Sequence, residues 1–248
     1  MSTGRLPAAG TVVNRRIFVQ SVLTGIGAGL TGGVAAQTQR ERRGNGWIIP
    51  TNKPDRFNLK VMAFNPIPAP DPGKWDLTIE GAGNPGTRVK LADLDKLPRI
   101  AQSSRLKCVQ CWSGRVNWEG FRAQELLRLV GARTDLLWVR VDCADKYYDF
   151  VKLEDLLNPR TLFAVGMNGE ALSPEHGAPL RLVMPAKYGY KSSKLITKLT
   201  FVDKGGMGLV ADGWPYYSAS GDILAGVDHP FEFPDETRKI VGGEITEY

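Results

Sequence analysis

The chain has 248 residues, 42% apolar and 23% charged, enough to bury a full core without covalent staples. Its three cysteines exclude a disulfide scaffold. The formal charge is +6, but three arginines (Arg5, Arg15 and Arg16) and no acids lie in residues 1–36, so the remainder carries only +3 and lacks the charge pattern of a nucleic-acid binder.

Residues 1–36 read as an address. Arg15-Arg16 precedes Ile17-Phe18-Val19 and a mildly apolar Gly/Ala-rich run that ends in Val34-Ala35-Ala36. This resembles a twin-arginine (Tat) export signal, which would send the protein, already folded, to the periplasm. The alternative is a retained membrane anchor, which the many glycines and polar residues weaken for a span of about 20 residues. Gly25-Ile26-Gly27-Ala28-Gly29 mimics a dinucleotide loop but follows no strand.

Residues 37–61 are a polar, basic linker, and the folded domain is expected over 62–248. Residues 62–75, with four prolines, predict an extended arm. Strands are predicted at 75–81, the start of 87–98, 103–108, 136–142, 147–153, 161–169, 179–185 and 195–203, from alternation and β-branched content. Short helices are expected around Leu91, Leu94 and Leu97, over 122–131 before Gly131, and just before Pro159. The segment after Gly205 reads as mostly irregular. The sum is an α+β domain, strand-dominated and mixed.

The segment "RLKCVQCWSGRVNWEGF" (105–121) places Cys108 and Cys111 three positions apart. Four readings stay open. A zinc site needs four ligands, to be drawn from Cys108, Cys111, Cys143, His176 and His229. A redox dithiol needs a helix opening at the pair, but "WSGRVNWEG" reads as turn residues without helical period. A buried inert pair is the bland reading. The last is a single thiolate, Cys108, presented by a strand end to a soft metal whose other ligands come from a cofactor. "HGAPLRLVMPAKYGYKSSKLI" (176–196) gathers Arg181, Lys187, Lys191 and Lys194 around Tyr188-Gly189-Tyr190 and Ser192-Ser193, which suits a phosphate as well as it suits a solvated loop.

Together with "FNPIPAP" (64–70) and "GVDHP" (226–230), these segments resemble, in order, the sulfite oxidase family of molybdopterin enzymes. The similarity is greatest to the exported bacterial branch that includes the periplasmic methionine sulfoxide reductase catalytic subunit. The resemblance implies a molybdopterin-binding oxidoreductase domain with a molybdenum-molybdopterin cofactor, and Cys108 as metal ligand and catalytic centre. It implies cofactor contacts from Phe64, Asn65, Cys143, His176, Arg181, Lys187, Tyr188, Gly189, Lys191, Ser192, Ser193 and Lys194. Arg115 is a further catalytic candidate.

Two departures stand out. Cys111 is not part of the family pattern, and a Cys108–Cys111 disulfide would destroy the ligand. His176 stands where the branch tends to carry an amide. The expected activity is two-electron oxo transfer on a small or protein-bound substrate, with reduction of an S-oxide or N-oxide favoured by aromatics such as Trp112, Trp118, Trp214, Tyr216 and Tyr217. Sulfite oxidation and a non-catalytic or zinc/dithiol module are the alternatives. The chain is expected to be a monomer without the immunoglobulin-like dimerisation domain or a fused haem domain. Electrons would come from a separate cytochrome or haem membrane subunit.

Overall fold

The computed structural model describes residues 49–50, 59, 61–63, 65–82, 84, 86–109, 113–132, 135–213, 217–223, 227–228 and 238–239, all within the compact unit Arg42–Tyr248. The expectations for the export signal, most of the linker, Phe64, Cys111, Trp112, Trp214, Tyr216 and His229 lie outside the described residues.

Strand β1 (Ile49–Pro50) pairs with β2 (Met62–Ala63), and residues 66–70 then run without a ladder, as their prolines dictate. β3 (Asp76–Glu80), β4 (Thr87–Lys90) and the one-turn helix α1 (Leu91–Leu94) follow. Next come β5 (Ile100–Lys107), β6 (Ser113–Phe121) and α2 (Ala123–Val130). β7 (Trp138–Cys143) and β8 (Tyr148–Lys152) form a hairpin that leads into α3 (Leu153–Leu156). β9 (Leu162–Met167), β10 (Glu170–Ala171), β11 (Arg181–Val183) and β12 (Ile196–Val202) complete the main sheets. α4 (Leu209–Gly213), β13 (Val227–Asp228) and β14 (Arg238–Lys239) come last.

The first sheet has the order β4-β3-β12-β7-β8, antiparallel except for the parallel β3–β12 pair. Its strands alternate, so Leu77, Ile79, Val139, Val141, Val151 and Leu199 enter the main core while their neighbours are partly exposed. The second sheet runs β10-β9-β6-β5, with β11 also on β9. It is covered on both faces. Phe121, Phe163 and Leu182 pack into the main core, while Trp118, Leu162, Ala164 and Val183 form a second cluster with Val116 and Leu59. Double burial is why β9 reads as an unbroken apolar run rather than as alternation.

Two sequence expectations need correction. Residues 113–121, read as turns, form a nine-residue strand paired along β5 from Lys107↔Ser113 to Ile100↔Gly120. Its turn-forming residues misled, because Asn117 and Gly120 sit at ladder positions stabilised by cross-strand pairing. Part of the tail read as irregular, 209–213, is the short helix α4. By contrast α2 ends as expected, at Gly131 in the left-handed region (φ 60°).

Gly120 and Gly131 are both required, for different reasons. A Cβ at Gly120 would lie 1.9 Å from the Phe163 carbonyl oxygen, at the register shift between β6 and β9. At Gly131 a Cβ would meet nothing. Gly131→Ala should therefore cost about 1–2 kcal/mol, from backbone strain alone. Gly120→Ala should cost more, about 2–4 kcal/mol, since backbone must shift. Urea melts of the two variants, compared with the wild type, test this ordering.

Candidate functional site

Strand β5 ends at Lys107, and a parallel bridge between Lys107 and Tyr188 draws its end to the loop between β11 and β12. That loop is closed at its base by Leu182 N–H donating to Ser193 O and Ile196 N–H donating to Leu180 O. Met184 N–H donates to Ser192 Oγ inside it. The loop leaves through Leu195, a buried non-glycine residue at φ 56°, a conformation held by its surroundings.

A cavity opens between these elements. Cys108 reaches it from the end of β5, and His176, Arg181, Gly189, Ser192, Ser193 and Lys194 reach it from the segment 174–194. Seven of the residues expected at the site are thus brought together. Cys108 is half-buried. Asn65 adjoins the lining, its Nδ2 donating to the Asp145 carbonyl oxygen at 2.7 Å.

The cations in this lining have an unusual environment. Arg181 is buried and stacks over Trp118, with its Cζ 4.7 Å from the ring centroid. Among the described residues it donates to carbonyl oxygens alone, of His176 (3.0 Å), Ser192 (3.4 Å) and Leu182 (3.4 Å). Lys194 Nζ likewise donates to the Met62 and Glu175 carbonyls, at 2.6 and 2.9 Å. Burial lowers the Arg181 guanidinium to about 9. Burial, and then the charge of Arg181, bring the Lys194 ammonium down to about 8. Asp145 and Glu175 also line the cavity and offset part of this charge. Ser193 Oγ is buried with no hydrogen-bond partner among the described residues. Two cations bound only to neutral carbonyls beside an unsatisfied hydroxyl form a donor set for an anion such as a phosphate. Gly177 makes this packing possible, since a Cβ there would press on Lys194 and Arg181 at 2.9 and 3.1 Å.

The other expected residues are placed elsewhere. Cys143 is buried in the main core, where burial keeps its thiol well above the usual range, and it does not line the cavity. Lys187 pairs with Asp155 and Asp222, and Lys191 with Asp149. Tyr188 packs with Val109 and Val210 in a third apolar cluster. Arg115 is exposed on β6, because Val116 and Trp118 take the buried positions of that strand. Of the aromatics expected in the pocket, Tyr217 lines it and Trp118 lies beneath Arg181. Asp145, Tyr147 and Glu175 are lining residues that the sequence reading did not single out. Asp145 and Tyr147 sit in or beside the β7–β8 turn, where Lys146 adopts φ 65°. The only local signal for this turn was its Asp-Lys pair. Among the described residues, no three Cys, His, Asp or Glu side chains gather as ligands for a metal.

The depressed Lys194 has a definite consequence. Its folded value, about 8, lies below the ordinary 10.5, so between the two the unfolded chain holds a proton that the folded chain has released. Its charging therefore disfavours folding at neutral pH, and that penalty fades as pH rises through this window. The difference in melting temperature between cofactor-free wild type and Lys194→Met should drift in favour of the wild type from about pH 7 to pH 9. Added inorganic phosphate should raise the melting temperature of the wild type more than that of the variant. A pH-independent difference would count against an uncompensated ammonium.

Comparison with known proteins agrees with this geometry. The family described as "Oxidoreductase molybdopterin binding domain" matches residues 64–209. The chain is 31% identical over 184 residues to the protein-methionine-sulfoxide reductase catalytic subunit MsrP of Burkholderia mallei, covering 64% of this chain and 53% of that protein. It is 29% identical over 208 residues to a putative protein-methionine-sulfoxide reductase subunit, YedZ1, of Azospira oryzae, covering 75% and 79%. The match thus spans about half the length of the first of these relatives. The sulfane dehydrogenase SoxCD of Paracoccus pantotrophus shares the fold, with a TM-score of 0.56 at 20% identity, over 73% of this chain and 48% of that one. A family match reaching from the proline arm to α4, over a strand-dominated fold whose one loop assembles an anion-binding donor set, shows that this chain belongs to the oxidoreductase molybdopterin-binding domain family, with a sulfite oxidase-type architecture.

Proposed function

We propose that the chain is the catalytic subunit of an exported molybdenum enzyme that reduces a neutral S-oxide or N-oxide with two electrons from a separate carrier. The observation that carries this reading is the composition of the cavity wall. Among the described lining residues the basic side chains are His176, Arg181 and Lys194, all from the 174–194 segment, while Val109, Val210, Tyr147, Tyr190 and Tyr217 make up an apolar and aromatic wall that also includes Cys108. A dianion such as sulfite would need cations of its own near the reacting centre. Arg105 and Arg115, the two arginines nearest Cys108 in the chain, do not line the cavity. A thioether sulfoxide would fit a wall of this kind. The names of the relatives, protein-methionine-sulfoxide reductase catalytic subunits, support the same substrate class and the need for a partner.

The residues present fit a molybdenum-molybdopterin cofactor. Arg181, Lys194, Ser192, Ser193 and His176 would hold its anionic and polar groups, Asn65 would support the facing turn through the Asp145 carbonyl, and Cys108 would supply the thiolate ligand. When bound, such a cofactor supplies a two-electron centre for moving one oxygen atom, which the side chains of this chain cannot provide. The chain's own contribution is to fix the anion in a pocket whose packing depends on Gly177, and to present Cys108 from the end of β5. The Tat-type leader supports export in the folded state to the periplasm. Among the described residues no helix is long and apolar enough to cross a membrane.

Protein from a molybdate-replete host should carry about one molybdenum and one pterin per chain. It should oxidise a reduced viologen dye when given methionine sulfoxide. Cys108→Ala and Cys108→Ser should abolish this turnover without changing the urea midpoint by more than about 0.5 kcal/mol equivalent. Sulfite-dependent cytochrome reduction without sulfoxide turnover would reverse the direction of the assignment, and full activity of either Cys108 variant would refute its role.

A further inference from the structure

We propose that residues 217–223 form a strap clamped across the cavity by Lys187, Tyr190 and Lys191, and that this clamp positions Tyr217 in the site. The observations begin with Lys191, which the family resemblance places among the cofactor contacts. It is 2% exposed, and its ammonium donates to Asp149 Oδ1 (2.7 Å), Phe150 O (2.6 Å) and Ala219 O (2.9 Å). An ammonium has three N–H donors, so none is left for a phosphate. Two of its partners lie on β8, and the third lies on the strap.

Neighbouring residues of the same loop repeat the pattern. Lys187 joins Asp155 of α3 to Asp222 of the strap, at 2.9 and 2.7 Å. Tyr190 O–H donates to Ser218 O at 2.7 Å, and Tyr188 N–H donates to Gly221 O at 2.7 Å. The Tyr190 ring meets Tyr217 edge to face, with centroids 4.9 Å apart. Four residues of one loop, 187, 188, 190 and 191, thus bond the strap. The three that follow, Ser192, Ser193 and Lys194, face the cavity. At the other side of the joint Gly221 lies at φ 66°, and a Cβ there would fall 2.2 Å from Lys191 Cγ. The strap is seated on the lysine stem without room for a methyl group. Tyr217, 3% exposed, is the strap residue that lines the cavity.

The clamp itself stands on these contacts, while its effect on substrate rests on the proposed function. The test is hydrogen exchange of the 217–223 amides in cofactor-free full-length chain, with molybdenum and pterin content measured on loaded protein. Lys191→Met should speed exchange of the strap by about tenfold while the β5–β6 ladder keeps its protection. Its loaded form should retain pterin and show a raised KM for methionine sulfoxide with a smaller change in kcat. Loss of pterin with unchanged strap protection would overturn the proposal, because Lys191 would then be a cofactor ligand. Unchanged protection and unchanged pterin would also overturn it. Should Lys191→Met fail to fold, Gly221→Ala tests the joint from the strap side and should speed the same amides; unchanged exchange there overturns the clamp. Accelerated strap exchange in a protein whose wild type shows no sulfoxide turnover would uphold the clamp and dismiss the substrate reading alone.

Discussion

A buried guanidinium with no carboxylate partner among the described residues organises this site. Arg181 lies over the Trp118 ring and gives its hydrogen bonds to three carbonyls, from β11 itself, from the turn at His176 and from the loop at Ser192. Its charge is partly offset by the indole face and by carbonyl dipoles, and the remainder is directed into the cavity. The second sheet serves this arrangement. Trp118 can lie under Arg181 only because β6 pairs with β9 and β9 with β11, and because that sheet is covered on both faces. A solvated arginine at the same position would bind an anion weakly. In the enclosed one, charge and geometry are both set before the ligand arrives.

The four cations of the loop 176–194 divide by their partners. Arg181 and Lys194 meet carbonyls and retain charge for a ligand. Lys187 and Lys191 meet carboxylates and tie the loop to β8, α3 and the strap. The same short segment would therefore hold the proposed anion, and it also bonds the strap that carries Tyr217. Burying a lysine–aspartate pair is costly unless its donors and acceptors are satisfied; Lys191 places all three N–H groups on one carboxylate and two carbonyls, while Asp149 Oδ2 is buried with no partner among the described residues.

Much of the fold was legible in the residues. The helix α2 announced itself by its apolar face and Gly131, and the alternation in β3, β7 and β8 marked half-buried strands. The strand end at Cys108 and part of the cation-rich loop, both singled out in the sequence, line one cavity. β6 was missed because Gly, Asn and Arg carry weak strand preference, and only the long pairing with β5 overrides it. Asp145 and Tyr147 gave no signal beyond the Asp-Lys pair of their turn, and Glu175 gave none. They enter the site because a hairpin turn and a short helical turn line the same cavity as the loop.

By itself the sequence determined the periodicities, the glycines at positive φ, and the set of thiol, hydroxyl and cationic groups available for an anionic cofactor. These follow from local sterics and from side-chain chemistry, which each residue carries wherever it is placed. Only the tertiary structure decided which cation does what. Lys187, Lys191 and Lys194 are chemically identical, and a loop drawn as a string offers all of them to a phosphate. What separates them is whether a carboxylate or a carbonyl lies within reach of the ammonium, and that depends on Asp149, Asp155 and Asp222, which lie tens of residues away in the chain.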